Sequence, residues 1–149
     1  MAAGTVHASV ALVGESGVLI RGASGSGKSS LLLALLSHDQ ARAALVADDR
    51  VALSAANGRV LATVPDAIAG LMEVRGQAIV RRPYVSPVVV DLVIDLAPPD
   101  ICPRLPEAGG EARVAVAGIE LPRIFIPVGA ADGATRVDLA LDRERREKP

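Results

Sequence analysis

At 149 residues the chain has the length of one domain and can bury a core of its own. Half of its residues are hydrophobic but Tyr84 and Phe125 are the only aromatics, so that core has to be assembled from Val, Leu, Ile and Ala. Sixteen basic residues against seventeen acidic ones leave a formal charge of −1, which removes any electrostatic case for nucleic acid or an anionic membrane as partner.

Val6 to Val13 and Gly17 to Arg21 are β-leaning runs separated by Gly14-Glu15-Ser16, and they read as a hairpin. The second run leads into Gly22-Ala23-Ser24-Gly25-Ser26-Gly27-Lys28-Ser29, a full match to the phosphate-binding P-loop pattern. In that pattern glycines let consecutive backbone N–H groups curl around phosphate oxygens, the lysine reaches the β- and γ-phosphates, and the following hydroxyl ligates Mg²⁺. Gly22 to Ser29 is therefore the candidate nucleotide cradle, with Lys28 on the phosphates and Ser29 on the metal. Ser30 to Leu36 reads as a helix whose N-terminus carries about half a positive charge toward the loop.

Ala43 to Ala47 is a short apolar strand that ends in Asp48-Asp49. A P-loop kinase needs a carboxylate beside Mg²⁺, and a hydroxyl acceptor needs a base for its proton; Asp48 and Asp49 are the candidates for both. Val51 to Leu53 and Arg59 to Ala62 flank Asn57-Gly58, a strong hairpin signal. Pro65 to Leu71 reads as a turn and a short helix, and Ile79-Val80 leads into a loop punctuated by Pro83 and Pro87. Val88 to Leu96 is a strand whose alternation suggests one wet face. Residues 97 to 110 hold four prolines and two glycines and form a loop, Ala112 to Ala117 and Ile124 to Val128 are later strands, and 143–149 is a charged, disordered tail. The organisation is thus a single P-loop catalytic domain over 1–142 followed by that tail.

Cys102 stands alone, which excludes an internal disulfide or a cysteine metal cluster and suits a reducing compartment. No stretch approaches the ~18 consecutive apolar residues of a spanning helix, and the N-terminus lacks the pattern of a signal peptide. The expectation is a soluble, cytoplasmic protein with no membrane insertion.

Taken together, His7, the loop Gly22 to Ser29, the run Leu45-Val46-Ala47-Asp48-Asp49-Arg50-Val51 and the segment Met72-Glu73-Val74-Arg75-Gly76 resemble the bacterial HPr kinase/phosphorylase family. The resemblance covers most of the chain. It implies an α/β fold, a P-loop kinase core of the phosphoenolpyruvate carboxykinase-like type with a mixed β-sheet and flanking helices. It implies ATP and Mg²⁺ as cofactors and a serine of HPr, or of an HPr-like phosphocarrier of a phosphotransferase system, as acceptor. Position by position, Lys28 steadies the transferred phosphoryl group, and Ser29, Glu73 and Asp48 stand at the metal. Asp49 is the expected base with Asp48 assisting, and His7 matches an active-site histidine. Arg75 either positions phosphate and acceptor or forms a salt bridge to an acid such as Glu73. Arg104 falls where the family has a functional arginine.

The chain departs from the family in three places. Ser30 stands where an acid usually follows the P-loop Lys-Ser, the family's N-terminal domain and the helices beyond its last strand are not expected, and Gly129 to Ala134 lacks the arginine of a loop linked to dephosphorylation. Phosphorolysis must hold phosphate beside an anionic phosphoserine, so the missing cation implies a kinase with weak or absent phosphorylase activity. The truncation and the changed loop also leave a second reading, an ATP-sensing module read by a partner such as a signalling histidine kinase, and they leave the oligomeric state open. A small-molecule kinase and a GTPase fit less well, lacking an arginine-rich lid and an Asn-Lys-x-Asp motif respectively.

Overall fold

A computed structural model of the chain describes residues 4–147. Eleven strands and two helices run in the order β1 (Thr5–His7), β2 (Ser9–Val13), β3 (Ser16–Arg21), α1 (Lys28–His38), β4 (Ala43–Ala47), β5 (Arg50–Ala56), β6 (Arg59–Thr63), β7 (Leu71–Val74), β8 (Ala78–Arg81), β9 (Val88–Ala97), β10 (Arg113–Val116), β11 (Ile119–Pro127) and α2 (Gly133–Glu147). A 3₁₀ turn at Asp66–Ile68 occupies the predicted short helix.

One mixed sheet carries the fold, in the order β1-β5-β6-β9-β3-β2-β4, with β11 also paired to β9 and β10 to β11; β7 and β8 form a separate hairpin. The central strand β9 runs parallel to β3 on one edge; on the other it pairs antiparallel with β6 through Val88–Val90 and parallel with β11 through Val93–Ala97. The predicted first strand is broken in two. The chain bends at Ala8, so β1 pairs with β5 while β2 pairs with β3 and β4. Because β4 and β5 are themselves interrupted only at Asp48-Asp49, the two bends lie side by side, and the Ala8 N–H donates to the Asp49 carbonyl across them at 3.2 Å. The sheet curls at this corner.

Two aliphatic cores result. Val18, Ile20, Leu92 and Ile94 point to the face covered by α1 and α2, whereas Leu19, Val93, Val46 and Val60 fill the inside of the curl. This is the period-2 alternation of a sheet covered on both faces, and it explains the leucine-rich α1, which is wedged between sheet and α2. Both helices therefore lie on one face, and the other is covered by the sheet itself. Gly17 allows the close approach of β3 to β9, since a Cβ there would sit 2.1 Å from the Val89 carbonyl oxygen.

Four expectations are corrected by the structure. β9 has no wet face: Asp91 accepts the Gly17 N–H at 3.1 Å, and Asp95 is gripped by Arg21 and Arg123. The segment 112–128 is a hairpin turning at Ala117-Gly118, both with positive φ (50° and 79°), whose second strand is nine residues long. A helix does follow the last strand, and the predicted tail is helical through Glu147, with Arg145 and Arg146 both reaching Asp142; Lys148 and Pro149 lie outside the described residues. Ala134, Val137 and Leu141 form the buried stripe of that helix, a spacing hidden in the sequence by the surrounding charge. Among the described residues no helix is long and apolar enough to cross a membrane.

Candidate active site

The P-loop joins the end of β3 to α1. Its fold is set locally: the Ser26 N–H donates to the Ala23 carbonyl at 3.0 Å, Gly27 takes a left-handed conformation (φ 98°), and the Leu31 N–H donates to the Gly27 carbonyl at 2.9 Å. A side chain at Gly22 would collide with Ser26 Oγ, 2.4 Å from the position of its Cβ. The first turn of α1 has neither an acidic residue nor a side-chain cap, so its N–H groups are free for an anion. Lys28 is buried and donates to the carbonyls of Gly22 and Ala23 at 2.9 and 3.1 Å, folded over the loop's own mouth. Ser26 Oγ, inside the loop, is the one buried side-chain polar atom among the described residues with no hydrogen-bond partner. An orphaned hydroxyl in a ring of free N–H groups is the donor set that phosphate oxygens satisfy.

Asp48 and Asp49 point to opposite sides. Asp48 is buried and accepts three hydrogen bonds, from Ser29 Oγ at 2.7 Å, Ser9 Oγ at 3.0 Å and the Glu73 N–H at 3.1 Å. Asp49, in a left-handed conformation with φ 73°, projects into the cleft, where its Oδ1 lies 3.2 Å from His7 Nδ1. Arg50 Nη2 lies 3.2 Å from His7 Nε2. A guanidinium can only donate, so Nε2 is the acceptor and the imidazole proton sits on Nδ1, aimed at Asp49. Sequence reasoning missed Ser9 and Arg50. Ser9 is fully buried, bonds Asp48 and accepts the Asp49 N–H at 3.2 Å, so it ties the two acids to one hydroxyl. Its signal was a serine at an inward position of an apolar strand.

The hairpin β7–β8 overhangs the loop, pinned by the Asp48–Glu73 bond and by Met72, which is buried in the core. His7, Lys28, Ser29, Asp49, Glu73 and Arg75 thereby line one cleft. Arg75 forms no ion pair among the described residues, so the salt bridge to Glu73 is absent. Arg104 is not brought there. It is exposed on the proline-rich loop and lines neither the cleft nor the P-loop. Burial raises the Cys102 thiol above its ordinary pKa, against the lowering by nearby Arg136, so this cysteine is a poor nucleophile.

No three His, Cys, Asp or Glu side chains among the described residues form a ready-made metal cage. Mg²⁺ does not need one, because it is commonly held by one or two protein oxygens together with substrate phosphates. The Ser29–Asp48 pair, next to the free N–H groups of the loop, fits that requirement.

Residues 1–140 match the family model described as the HPr serine kinase C-terminal domain. The chain belongs to this family. Against the "HPr kinase/phosphorylase" of Mycoplasma mycoides subsp. mycoides SC, the chain is 29% identical over 136 residues, covering 83% of the chain and 42% of the relative. It thus spans less than half the length of that curated relative. Among solved structures, the Hpr(Ser) kinase/phosphatase from Coxiella burnetii has the same fold, with a TM-score of 0.78, 25% identity and 97% of both chains covered. The mixed sheet with its P-loop and helices is therefore the architecture of an HPr kinase core.

Proposed function

We propose that the chain is an ATP-dependent serine kinase acting on HPr or an HPr-like phosphocarrier. The observation that carries this reading is the division of the acid pair: Asp48 bonded to the P-loop Ser29, Asp49 held by His7 on the open side of the same cleft. A nucleotide-binding module would need the first arrangement and not the second.

Backbone N–H groups of the P-loop bind the triphosphate, and Lys28 swings from its carbonyl partners to the β/γ oxygens. Ser29 and Asp48, with Glu73 across the cleft, would hold Mg²⁺, which when bound neutralises charge on those oxygens. Asp49 accepts the proton of the attacking serine hydroxyl as the serine oxygen bonds to the γ-phosphorus and the bond to the ADP oxygen breaks. His7 orients Asp49, and Arg50 keeps the His7 proton on the nitrogen that does so. The side chains of His7 and Asp49 are 57% and 66% exposed, which leaves room for a hydroxyl carried by a protein. The guanidinium of Arg75 is free to steady the donor or the acceptor.

The reverse reaction is proposed to be weak or absent, since residues 129–134 offer small side chains and one acid where phosphate would need a cation. The test is labelled ATP, Mg²⁺ and an HPr-like carrier, with mass-spectrometric mapping of the product. One phosphoserine is expected, lost in a Ser→Ala carrier. ATP binding without serine labelling would refute the kinase reading and favour ATP sensing. Pyrophosphate release from the phosphoserine carrier with phosphate and Mg²⁺, at a rate near that of the kinase step, would refute the one-directional reading.

A further inference from the structure

The acid on the open side of the cleft stands on a strained turn. Asp49 has φ 73°, and the Arg50 N–H donates to the Asp48 carbonyl across it at 2.9 Å. A hydrogen bond closed over a single residue of positive φ is the rarer and more strained of the two γ-turns, and a residue with a side chain stays in it only where its surroundings hold it there. The Asp49 carboxylate does not supply that hold. Its side chain is 66% exposed, and its ion-pair partner, His7, is itself 57% exposed. Both polar backbone groups of Asp49 are instead tied to the bend between β1 and β2, the carbonyl by the Ala8 N–H at 3.2 Å and the N–H by Ser9 Oγ, also at 3.2 Å. Ser9 is fully buried and donates its only proton to Asp48 Oδ1 at 3.0 Å, which leaves an oxygen lone pair for the Asp49 N–H.

We propose that Ser9 is a positioning residue for phosphoryl transfer: its hydroxyl holds the Asp48-Asp49-Arg50 turn in the form that presents the Asp49 carboxylate to the acceptor hydroxyl. The proposal rests on the kinase reading above, with Asp49 as base. The Ala8 bond secures the carbonyl side of Asp49, and the peptide that joins Asp48 to Asp49 is left to Ser9. Without the Ser9 hydroxyl, the Asp49 N–H loses its acceptor at a place shielded by the bend, and rotation of that peptide relieves the orphaned donor and the strain together. The same rotation carries the carboxylate away from His7 and from the acceptor. A displacement of about 1 Å is enough to slow a reaction on the order of 10²-fold. Asp48 keeps its bonds to Ser29 and to the Glu73 N–H, so the phosphate side of the cleft is left as it was. An alanine at position 9 would pack against the same neighbours and position nothing.

The experiment compares the wild type, Ser9→Ala, Asp49→Asn and the double variant by kcat and KM for serine transfer to an HPr-like carrier, by ATP affinity, and by amide hydrogen exchange at Asp49 and Leu31 in the free protein. Ser9→Ala should lower kcat about 10–10²-fold, with ATP affinity and the KM for the carrier within about threefold of wild type. Its Asp49 amide should exchange at least about tenfold faster, while the Leu31 amide, bonded to the Gly27 carbonyl in the first turn of α1, keeps its rate. The double variant should transfer within about threefold of Asp49→Asn alone, because a base that has been removed cannot be misplaced. Losses that multiply in the double variant overturn the proposal, as does an equal rise in exchange at both amides or a Ser9→Ala rate within about threefold of wild type; the kinase reading survives all three. Asp49→Asn at the wild-type rate, or no serine labelling by the wild type, brings down the reading of Asp49 as base, and the role of Ser9 goes with it.

Discussion

At the scale of residues, two adjacent aspartates acquire different partners from backbone geometry alone. Asp48 follows the inward direction of β4 and reaches Ser29, while the left-handed φ of 73° at Asp49 turns the next side chain to the cleft. Aspartate and asparagine tolerate that conformation better than most L-residues. Asp49→Asn should therefore fold normally and bind nucleotide with wild-type affinity, yet lower serine transfer by about 10²–10⁴-fold, the usual contribution of a general base. Transfer rates within about threefold of wild type would remove Asp49 from the mechanism. Asp48→Ala should behave otherwise. It strands the Ser9 hydroxyl and the Glu73 N–H inside the protein, at a cost of about 1–3 kcal/mol in chemical denaturation. These divergent placements were only half legible in the sequence. The family resemblance put His7, the P-loop, the acid pair and Glu73 in one site, but nothing in a run Val-Ala-Asp-Asp-Arg says which acid faces which way. That depends on the bend at Ala8, which is visible only once β1 and β2 are seen to join different parts of the sheet.

At the scale of elements, the hairpin β7–β8 decides whether Glu73 and Arg75 stand over the loop. Its ladder pairs only with itself, and Ile79 on its second strand is 70% exposed. Its attachment comes from Met72 in the main core and the Glu73–Asp48 bond, while the Arg82 N–H, donating to the Gly70 carbonyl at 2.8 Å, only closes the hairpin's own open end. Met72→Ala should cost about 2–5 kcal/mol of stability, as truncations of buried Met do. It should also weaken serine transfer more than tripolyphosphate binding, because the hairpin loosens while the loop and α1 stay in place. Equal losses in both assays would show that the hairpin does not move independently of the loop. The hairpin was nearly invisible beforehand, since Met72 to Val74 and Ile79-Val80 are too short to show a period, whereas Asn57-Gly58 announced its turn plainly, with φ of 53° and 74°. Arg104 failed for a related reason: position along a proline-rich loop does not determine the direction in which the loop is carried.

At the scale of the whole molecule, the site sits where the sheet cannot stay flat. Strands β3, β9 and β11 end together under the P-loop, and three charged side chains meet there on the face away from the helices. Arg21 holds Asp95 with two bonds of 2.8 Å, and Arg123, stacked 4.5 Å over Phe125, adds a third of 3.1 Å. Arg21 is the residue before Gly22, so this cluster fixes the strand end from which the loop departs. Two cations share one anion, and the Asp95 and Arg123 side chains are less than one-fifth exposed. Removing the anion leaves two partly desolvated guanidiniums facing each other. Asp95→Ala should thus cost about 3 kcal/mol, near the lower end for broken buried pairs because water still reaches the cluster. In a domain of this size that corresponds to a melting temperature lower by about 6–12 °C. Asp95→Asn keeps the shape and one acceptor and should fall between Ala and wild type. If the cluster serves only the sheet, nucleotide affinity measured well below the melting transition will be unchanged in both variants. If it also holds the loop, affinity will fall in the same order as stability, Ala more than Asn, and the direct coupling of Arg21 to Gly22 predicts the second outcome.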